Sequence, residues 1–189
     1  FDEGIAAAPR ALDRNQHLTK SNPRATYYIR GLGYASRFHR GLAYDPTLMK
    51  MLNALARDEL AIHGMTMSSI SHTNVCQTAT GRPVDAWHTD SFEYVLVIML
   101  SDIDGMQGGT MRVLQLADAS GEMFKELTIK GRVPDNLVEV VRYAGAGHAC
   151  FIQGSKILHT IDAVLNGHEP RISLVNSYMS LRPFAPDAT

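Results

Sequence analysis

The chain has 189 residues, of which 45% are hydrophobic and 20% charged, a composition typical of folded globular proteins rather than disordered ones. Its 18 basic and 19 acidic residues leave a formal charge of −1 at pH 7, and no run of Lys and Arg forms a stripe. Nucleic-acid binding needs clustered basic side chains to neutralise phosphates, so the composition argues against a nucleic-acid partner and favours a small molecule.

The longest apolar run, residues 94–100, is far shorter than the roughly 20 residues of a membrane-spanning helix. No charged and then apolar leader opens the chain, so we expect no membrane partner and a cytoplasmic location. The two cysteines, Cys76 and Cys150, are too few for a disulfide framework or a structural zinc site. We expect both to be buried thiols.

Residues 1–26 are polar and weakly patterned, with Pro9 and Pro23 as breaks, so we expect an irregular or partly helical arm. A helix is predicted after Asp45, because Asp is a good N-cap and Pro46 suits the first helical position. Apolar residues recur along it at helical spacing, and we expect all of them to pack against a sheet: Leu48, Met51, Leu52, Leu55 and Ala56.

After Gly64 the pattern changes to short alternating or apolar segments separated by turn residues. The predicted strands lie within residues 65–78, 92–100, 108–116, 137–143, 148–154, 156–165 and 171–179. Short strands at this spacing are typical of an antiparallel sandwich or barrel. We therefore predict a single domain over 1–189, with a mainly helical part at 1–63 and a β core at 64–182.

The strand-forming segment "WHTDSFEYVLVIML", residues 87–100, opens with His88 and Asp90. In extended chain, residues i and i+2 point to the same face, so these two side chains share one face. Alone, the pair is also consistent with a surface salt bridge at a strand end. His159 adds an imidazole within a later strand, and two His with one carboxylate form the facial set that binds non-haem Fe(II). His72 is the spare candidate ligand.

Arg171 and Ser173 open the last predicted strand and share a face by the same two-residue period. A buried guanidinium requires an anionic partner or several acceptors, and its planar fork suits a carboxylate. The pair therefore predicts a carboxylate clamp inside the barrel. In the alternative, Arg171 lies at a strand edge and pairs with Glu169 or Asp162.

Together, "HTD" at 88–90, the strand-borne His159 and "RIS" at 171–173 resemble the pattern of the iron(II)- and 2-oxoglutarate-dependent dioxygenase superfamily. The segment "GGTMRVL" resembles the family's Gly-Gly strand, and "GAGHACFIQGSKILHTI" resembles its turn and strand before the second His. The likeness covers about residues 64–180. Each piece is common by itself, and the ordered combination is what makes the resemblance specific.

The resemblance implies a double-stranded β-helix, also called a jelly roll or cupin-like barrel. It implies that His88, Asp90 and His159 hold Fe(II), and that Arg171 and Ser173 bind the distal carboxylate of the cosubstrate 2-oxoglutarate. In this family, O2 converts 2-oxoglutarate to succinate and CO2 while an unactivated C–H bond of the substrate is oxidised, with hydroxylation as the default outcome.

Three further positions are weaker candidates. Asn74 resembles a polar position on an early strand that often contacts the cosubstrate, and a core or turn role is the alternative. Trp87 and Tyr94 are candidates for lining the substrate pocket, although an aromatic residue beside an apolar strand more often packs in the core. Asp90 stands where halogenating relatives carry a small residue, which argues against halogenation. Two other functions stay open: a cupin-like metalloenzyme that does not use 2-oxoglutarate, which would not require Arg171, and a non-catalytic binding module built on the same barrel.

Overall fold

The computed structural model describes residues 2–65, 70–76, 81–115, 133, 137–168 and 170–182. Its α-helices are α1 (Asp2–Arg14), α2 (Leu32–Ala35), α3 (Arg37–Ala43) and α4 (Pro46–Ala56). Its strands are β1 (Tyr28–Ile29), β2 (Leu60–Ile62), β3 (His72–Cys76), β4 (Asp85–His88), β5 (Tyr94–Met99), β6 (Gln107–Gly108), β7 (Met111–Gln115), β8 (Glu139–Val141), β9 (Ala149–Ile152), β10 (Ile157–Ile161), β11 (Val164–Asn166) and β12 (Arg171–Ser180). The prediction of a mainly β protein with N-terminal helices is confirmed.

The described strands form a large and a small antiparallel sheet plus a two-stranded ribbon. The large sheet has the order β1-β3-β12-β5-β9, with β2 also paired to β12, and the small sheet has the order β4-β10-β7-β8. Strands β6 and β11 form the ribbon. Each predicted strand segment contains an observed strand, and the segment at 156–165 is divided between β10 and the start of β11.

Strand β5 explains the long apolar run of the sequence, because both of its faces are buried. Leu96 and Ile98 belong to the core between the large sheet and the helices. Val95 and Val97 belong to a second core between the two sheets, where they meet Met111 of β7. A strand covered on both faces needs no polar positions, which is why the run does not alternate.

The predicted start of α4 is observed, whereas the predicted break at Pro9 is not. Asp45 caps α4, since its Oδ1 accepts a hydrogen bond of 2.8 Å from the backbone N–H of Leu48. Pro9, expected as a break, lies inside α1. Proline costs an intrahelical hydrogen bond, and burial of Ala8 and Leu12 against the large sheet stabilises the helix in its place.

The predicted apolar stripe of α4 is narrower than expected. Leu52 is fully buried, and Leu48 and Ala56 pack partly against the core. Met51 and Leu55 are 51% and 62% exposed, so the prediction that they face a sheet is wrong. The five positions are spread over a wider part of the helix circumference than the core covers, and only Leu48, Leu52 and Ala56 are on the covered side.

The N-terminal part also contributes strands that were not predicted. Tyr28 of β1 pairs with Asn74 of β3, and Ile62 of β2 pairs with Tyr178 of β12. These strands have two and three residues, too short for a periodic signal.

Within the described ranges, no helix has the length and apolarity to cross a membrane.

The two cysteines differ in burial. Cys76 is fully buried, as expected, whereas Cys150 is only partly buried, so the prediction for the second thiol is wrong. Cys76 joins a small apolar cluster with Val84, Ile161 and Val164, away from solvent. Cys150 packs at the margin of the core between the sheets, on a strand that forms the end of the large sheet.

His39 is a buried histidine in the helical layer. Its exposed fraction is 0%, and its Nδ1 lies 2.7 Å from Ser36 Oγ, while its Nε2 is buried with no hydrogen-bond partner. Burial disfavours the imidazolium and lowers the pKa of His39 from 6.5 to about 4.

We predict that His39 makes part of the stability pH-dependent. Because the folded-state pKa lies below the unfolded one, the contribution is complete above pH 6.5 and is lost as the pH falls to about 4. As the pH falls through that window, the unfolding free energy of wild type should decrease by up to about 3 kcal/mol relative to that of His39→Leu. Urea unfolding at a series of pH values measures it, and parallel profiles for the two proteins would contradict the assignment.

Candidate metal centre

The pairing of β4 with β10 brings the two candidate histidine ligands together. His88, the last residue of β4, is the Cα partner of His159, and their ring centroids lie 4.2 Å apart. Asp90 follows in the loop after β4, with Oδ1 at 3.4 Å from His88 Nε2 and Oδ2 at 3.4 Å from His159 Nε2. One ligand atom from each residue falls within 4.8 Å of the others, a spacing suited to a metal ion.

Backbone carbonyls fix the orientation of both imidazoles. His88 Nδ1 lies 2.6 Å from the carbonyl oxygen of Ala86, and His159 Nδ1 lies 2.9 Å from that of Ile157. An Nδ1–H that donates to a carbonyl leaves Nε2 with a lone pair, and both Nε2 atoms face Asp90. Two lone pairs and a carboxylate that converge in this way repel one another unless a cation lies between them.

The electrostatics of Asp90 agree with this arrangement. Burial raises the pKa of Asp90, but the neighbouring His88 and the charges of His159 and His88 outweigh it and hold the pKa below its ordinary value. Its Oδ2 is buried and has no hydrogen-bond partner. A buried carboxylate oxygen without a donor is costly in the absence of a cation, so the chemistry of the donor set fits a divalent metal.

The pKa values of the two histidines move in opposite directions. Burial lowers the pKa of His88, but Asp90 and Asp85 outweigh burial and leave it raised. For His159, burial and the charge of His88 lower the pKa. The carboxylates beside His88 therefore favour positive charge at this cluster, which a metal ion would also supply.

Gly154 sets the position of Asp90. Its carbonyl oxygen accepts a hydrogen bond of 2.9 Å from the backbone N–H of Asp90. A Cβ added at Gly154 would lie 2.6 Å from Asp90 Oδ2 and 2.8 Å from Val95 Cγ2. The carboxylate can occupy its place only because residue 154 has no side chain.

A cavity of about 450 Å³ opens beside the three residues. Apart from the three candidate ligands, its wall includes the ionisable residues Arg24, Arg30, His63, His72 and Asp85. Arg24 and Arg30 were not identified from the sequence, because they lie in the weakly patterned N-terminal part. The pairing of β1 with β3 brings the N-terminal part of the chain to the cavity, and no sequence motif predicts such a tertiary contact.

Arg171 and Ser173 lie side by side in the interior, as their two-residue spacing predicts. Arg171 Nη1 donates to Ser173 Oγ at 3.0 Å, and Nε donates to the carbonyl oxygen of Gly109 at 2.8 Å. The residue is 1% exposed, and its Nη2 is buried without a hydrogen-bond partner. Asp162 instead approaches Arg112 at 3.9 Å, and Glu169 lies outside the described residues.

Arg171 and Ser173 lie on the same face of β12 as two residues of the cavity wall. Val175 and Ser177 lie two and four residues after Ser173, on the same face of the strand, and both line the cavity. The cavity wall itself includes neither Arg171 nor Ser173. The guanidinium therefore lies outside the cavity wall, buried, with its Nη2 donor unused.

The weaker candidates divide between cavity and core. Asn74 lines the cavity and its Oδ1 lies 3.0 Å from His72 Nε2. His72 lies outside the group of three converging ligands and stacks on Tyr28, with ring centroids 5.3 Å apart. Neither Trp87 nor Tyr94 belongs to the cavity wall, and Tyr94 stacks on Phe151 at 5.7 Å instead.

Several solved structures share this architecture. SnoN, a non-heme alpha ketoglutarate dependent epimerase from nogalamycin biosynthesis, has a TM-score of 0.65 and 15% identity, with 94% of this chain and 74% of SnoN covered. SnoK, the corresponding carbocyclase, has a TM-score of 0.64 and 14% identity over 93% and 73% of the two chains. EctD from S. alaskensis, solved with 2-oxoglutarate and 5-hydroxyectoine, has a TM-score of 0.61 and 17% identity over 95% and 68%.

SnoN has also been solved in complex with Fe3+, alpha ketoglutarate, which is 2-oxoglutarate, and nogalamycin RO. No model of a protein family matches the sequence, and no curated protein matches it. At these identities the likeness establishes the fold. The predicted double-stranded β-helix, and the resemblance to the iron- and 2-oxoglutarate-dependent dioxygenases at the level of the fold, are confirmed.

We predict that His88→Ala and His159→Ala each lose metal binding while the β fold persists. Removing one of three protein ligands should weaken Co(II) or Fe(II) affinity sharply, because the two remaining ligands cannot complete the facial set. Anaerobic calorimetric titration measures the affinity, and circular dichroism measures the fold. His72→Ala serves as the matched control and should bind metal as wild type does. Loss of binding in His72→Ala, with retention in the other two variants, would move the site to His72.

We predict that Gly154→Ala weakens metal binding without removing any ligand. The added methyl group displaces the Asp90 carboxylate, and disturbance of groups that orient ligands typically costs about 10–100-fold in affinity. Gly41→Ala is the control, because a Cβ there has no heavy atom within 4 Å. Equal metal affinity in Gly154→Ala and Gly41→Ala would show that Asp90 is not a ligand.

Proposed function

We propose that this chain is an Fe(II)- and 2-oxoglutarate-dependent oxygenase that oxidises a small molecule. One observation carries the proposal: two imidazole lone pairs and an unpaired carboxylate oxygen converge at the end of a cavity. A second observation adds the cosubstrate, since a buried guanidinium with a free donor lies further inside the same barrel.

In this proposal His88, Asp90 and His159 hold the iron. When bound there, Fe(II) would supply the O2 activation that couples decarboxylation of 2-oxoglutarate to oxidation of the substrate. The hydrogen bonds from Nδ1 of the two imidazoles to backbone carbonyls keep each Nε2 directed at the metal position. Asp90 supplies the negative charge, and its Oδ2 is buried.

Arg171 binds the distal carboxylate of 2-oxoglutarate. Its Nη2 is the free donor, and Ser173 Oγ, which already accepts from Nη1, has a hydroxyl hydrogen to donate to the same carboxylate. Asn74 pairs with Ser173 across β3 and β12, which puts its amide close to the path between metal and clamp. A cupin-like enzyme without this cosubstrate, or a non-catalytic module, has no use for such a buried donor.

Hydroxylation is the proposed outcome for the substrate. EctD was solved with a hydroxylated compound, 5-hydroxyectoine, whereas SnoN and SnoK are an epimerase and a carbocyclase on the same fold. The three outcomes differ in product mass: hydroxylation adds one oxygen atom, oxidative ring closure removes two hydrogen atoms, and epimerisation leaves the mass unchanged. Mass spectrometry of the product, once a substrate is found, decides among them.

The cytoplasmic location stays a prediction.

We predict that Arg171→Ala raises the apparent KM for 2-oxoglutarate by at least about tenfold, because it removes charge-assisted hydrogen bonds to a carboxylate. Fe(II) affinity without cosubstrate should stay nearly unchanged. Arg171→Lys should recover part of the loss, since the charge returns without the fork. Ser173→Ala should fall between wild type and Arg171→Ala, because it removes one neutral donor. Succinate release over a range of 2-oxoglutarate concentrations measures the effect.

Two results would count against the proposal. An unaltered KM in Arg171→Ala would place the clamp elsewhere in the barrel. Absence of succinate release by the iron-loaded wild-type protein, in the presence of 2-oxoglutarate and O2 and with or without candidate substrates, would favour the cupin-like or non-catalytic alternatives.

A further inference from the structure

The cavity wall carries two arginines, and they differ in their partners. Arg24 is neutralised by Asp85, with Nε at 2.9 Å from Oδ1 and Nη2 at 3.3 Å from Oδ2. Arg30 is an exposed residue of the cavity wall and forms no ion pair with any of the residues that the structure describes. Its guanidinium carbon instead lies 5.1 Å from the ring centroid of Tyr28, a cation–π contact that leaves its hydrogen-bond donors free.

The position of Arg30 is fixed by the sheet. Arg30 directly follows β1, and Tyr28 of that strand is buried and pairs with Asn74 of β3. Tyr28 also stacks on His72, so its ring contacts both the guanidinium of Arg30 and the imidazole of His72, two residues of the cavity wall. Burial, together with the charge of Arg30, lowers the pKa of His72 to about 4.

The other charges of the proposed site compensate one another. The positive charges of a divalent metal and Arg171 are matched by Asp90 and the two carboxylates of 2-oxoglutarate. Arg24 is matched by Asp85. With His72 neutral, Arg30 is left as the unmatched arginine charge of the described cavity wall. A cation that faces a cavity without a protein partner favours an anionic ligand.

We propose that the substrate carries an oxyanion, a carboxylate or a phosphate, which Arg30 binds. This inference rests on the proposed oxygenase function and assigns Arg30 to the substrate and not to 2-oxoglutarate. The anion accepts hydrogen bonds from the in-plane N–H groups of the guanidinium, which the cation–π contact with Tyr28 leaves free, and it anchors the substrate at the cavity wall.

The test uses the protein loaded with Zn(II) and saturated with 2-oxoglutarate, so that the metal and Arg171 are occupied. Acetate and its neutral isostere acetamide are compared by saturation-transfer NMR of their methyl groups, and inorganic phosphate is added as a competitor of acetate. Ionic strength is held constant with chloride. We expect saturable acetate binding, little acetamide binding, and either displacement of acetate by phosphate, which would favour a phosphate substrate, or no displacement, which would favour a carboxylate.

Arg30→Gln should weaken acetate binding by at least about tenfold, and Arg30→Lys should restore part of it. Arg37→Gln, an exposed arginine outside the cavity wall, is the matched control and should bind acetate as wild type does. Equal binding of acetate and acetamide, no acetate binding by wild type, or unchanged binding in Arg30→Gln would each overturn the inference.

Succinate release separates this inference from the function it rests on. The KM for 2-oxoglutarate in substrate-free turnover should be the same in wild type and Arg30→Gln. A raised KM would assign Arg30 to the cosubstrate and overturn the substrate inference while supporting the oxygenase. Acetate binding that depends on Arg30 in a protein that never releases succinate would sink the oxygenase proposal and leave an oxyanion-binding site.

Discussion

The candidate site depends on two hydrogen bonds from imidazole Nδ1 atoms to the backbone carbonyls of Ala86 and Ile157. They determine which nitrogen of each ring faces Asp90, and therefore whether the cluster can accept a metal or only share a proton. Each carbonyl lies two residues before its histidine, on the same strand. The local extended backbone thus orients the ligand, and the pairing of β4 with β10 only has to bring the two rings together.

The sequence predicted what depends on local period and on ordered motifs. The spacing of His88 and Asp90, and that of Arg171 and Ser173, placed each pair on one face, and the structure places them so. The short strands predicted an antiparallel sandwich or barrel, and the family resemblance carried by the order of these motifs implied the double-stranded β-helix. The cap of α4 also followed from residue type, since Asp45 needs only its own first turn to act.

Features that depend on tertiary contact were not predictable. Met51 and Leu55 have the same helical spacing as Leu52, and the angle at which α4 meets the sheet decides which of them is covered. Arg30 has no motif, and it reaches the cavity because a two-residue strand pairs with β3. The need for glycine at position 154 arises from a side chain 64 positions earlier in the chain, which no local pattern records. Tyr94 was a candidate for lining the substrate pocket, yet its ring stacks on Phe151.

Strand β12 has a consequence for how this protein could be altered by laboratory evolution. Its odd-numbered residues from Arg171 to Ser177 are on the face of the proposed site, while Ile172, Leu174 and Tyr178 belong to the core beneath the helices. Partners on both sides, β3 and β5, hold the strand in this register. A library that varies Val175 and Ser177, the odd positions that line the cavity, would therefore sample ligand preference, and one that varies even positions would sample stability. A one-residue insertion in this strand would exchange the two faces and abolish both properties together.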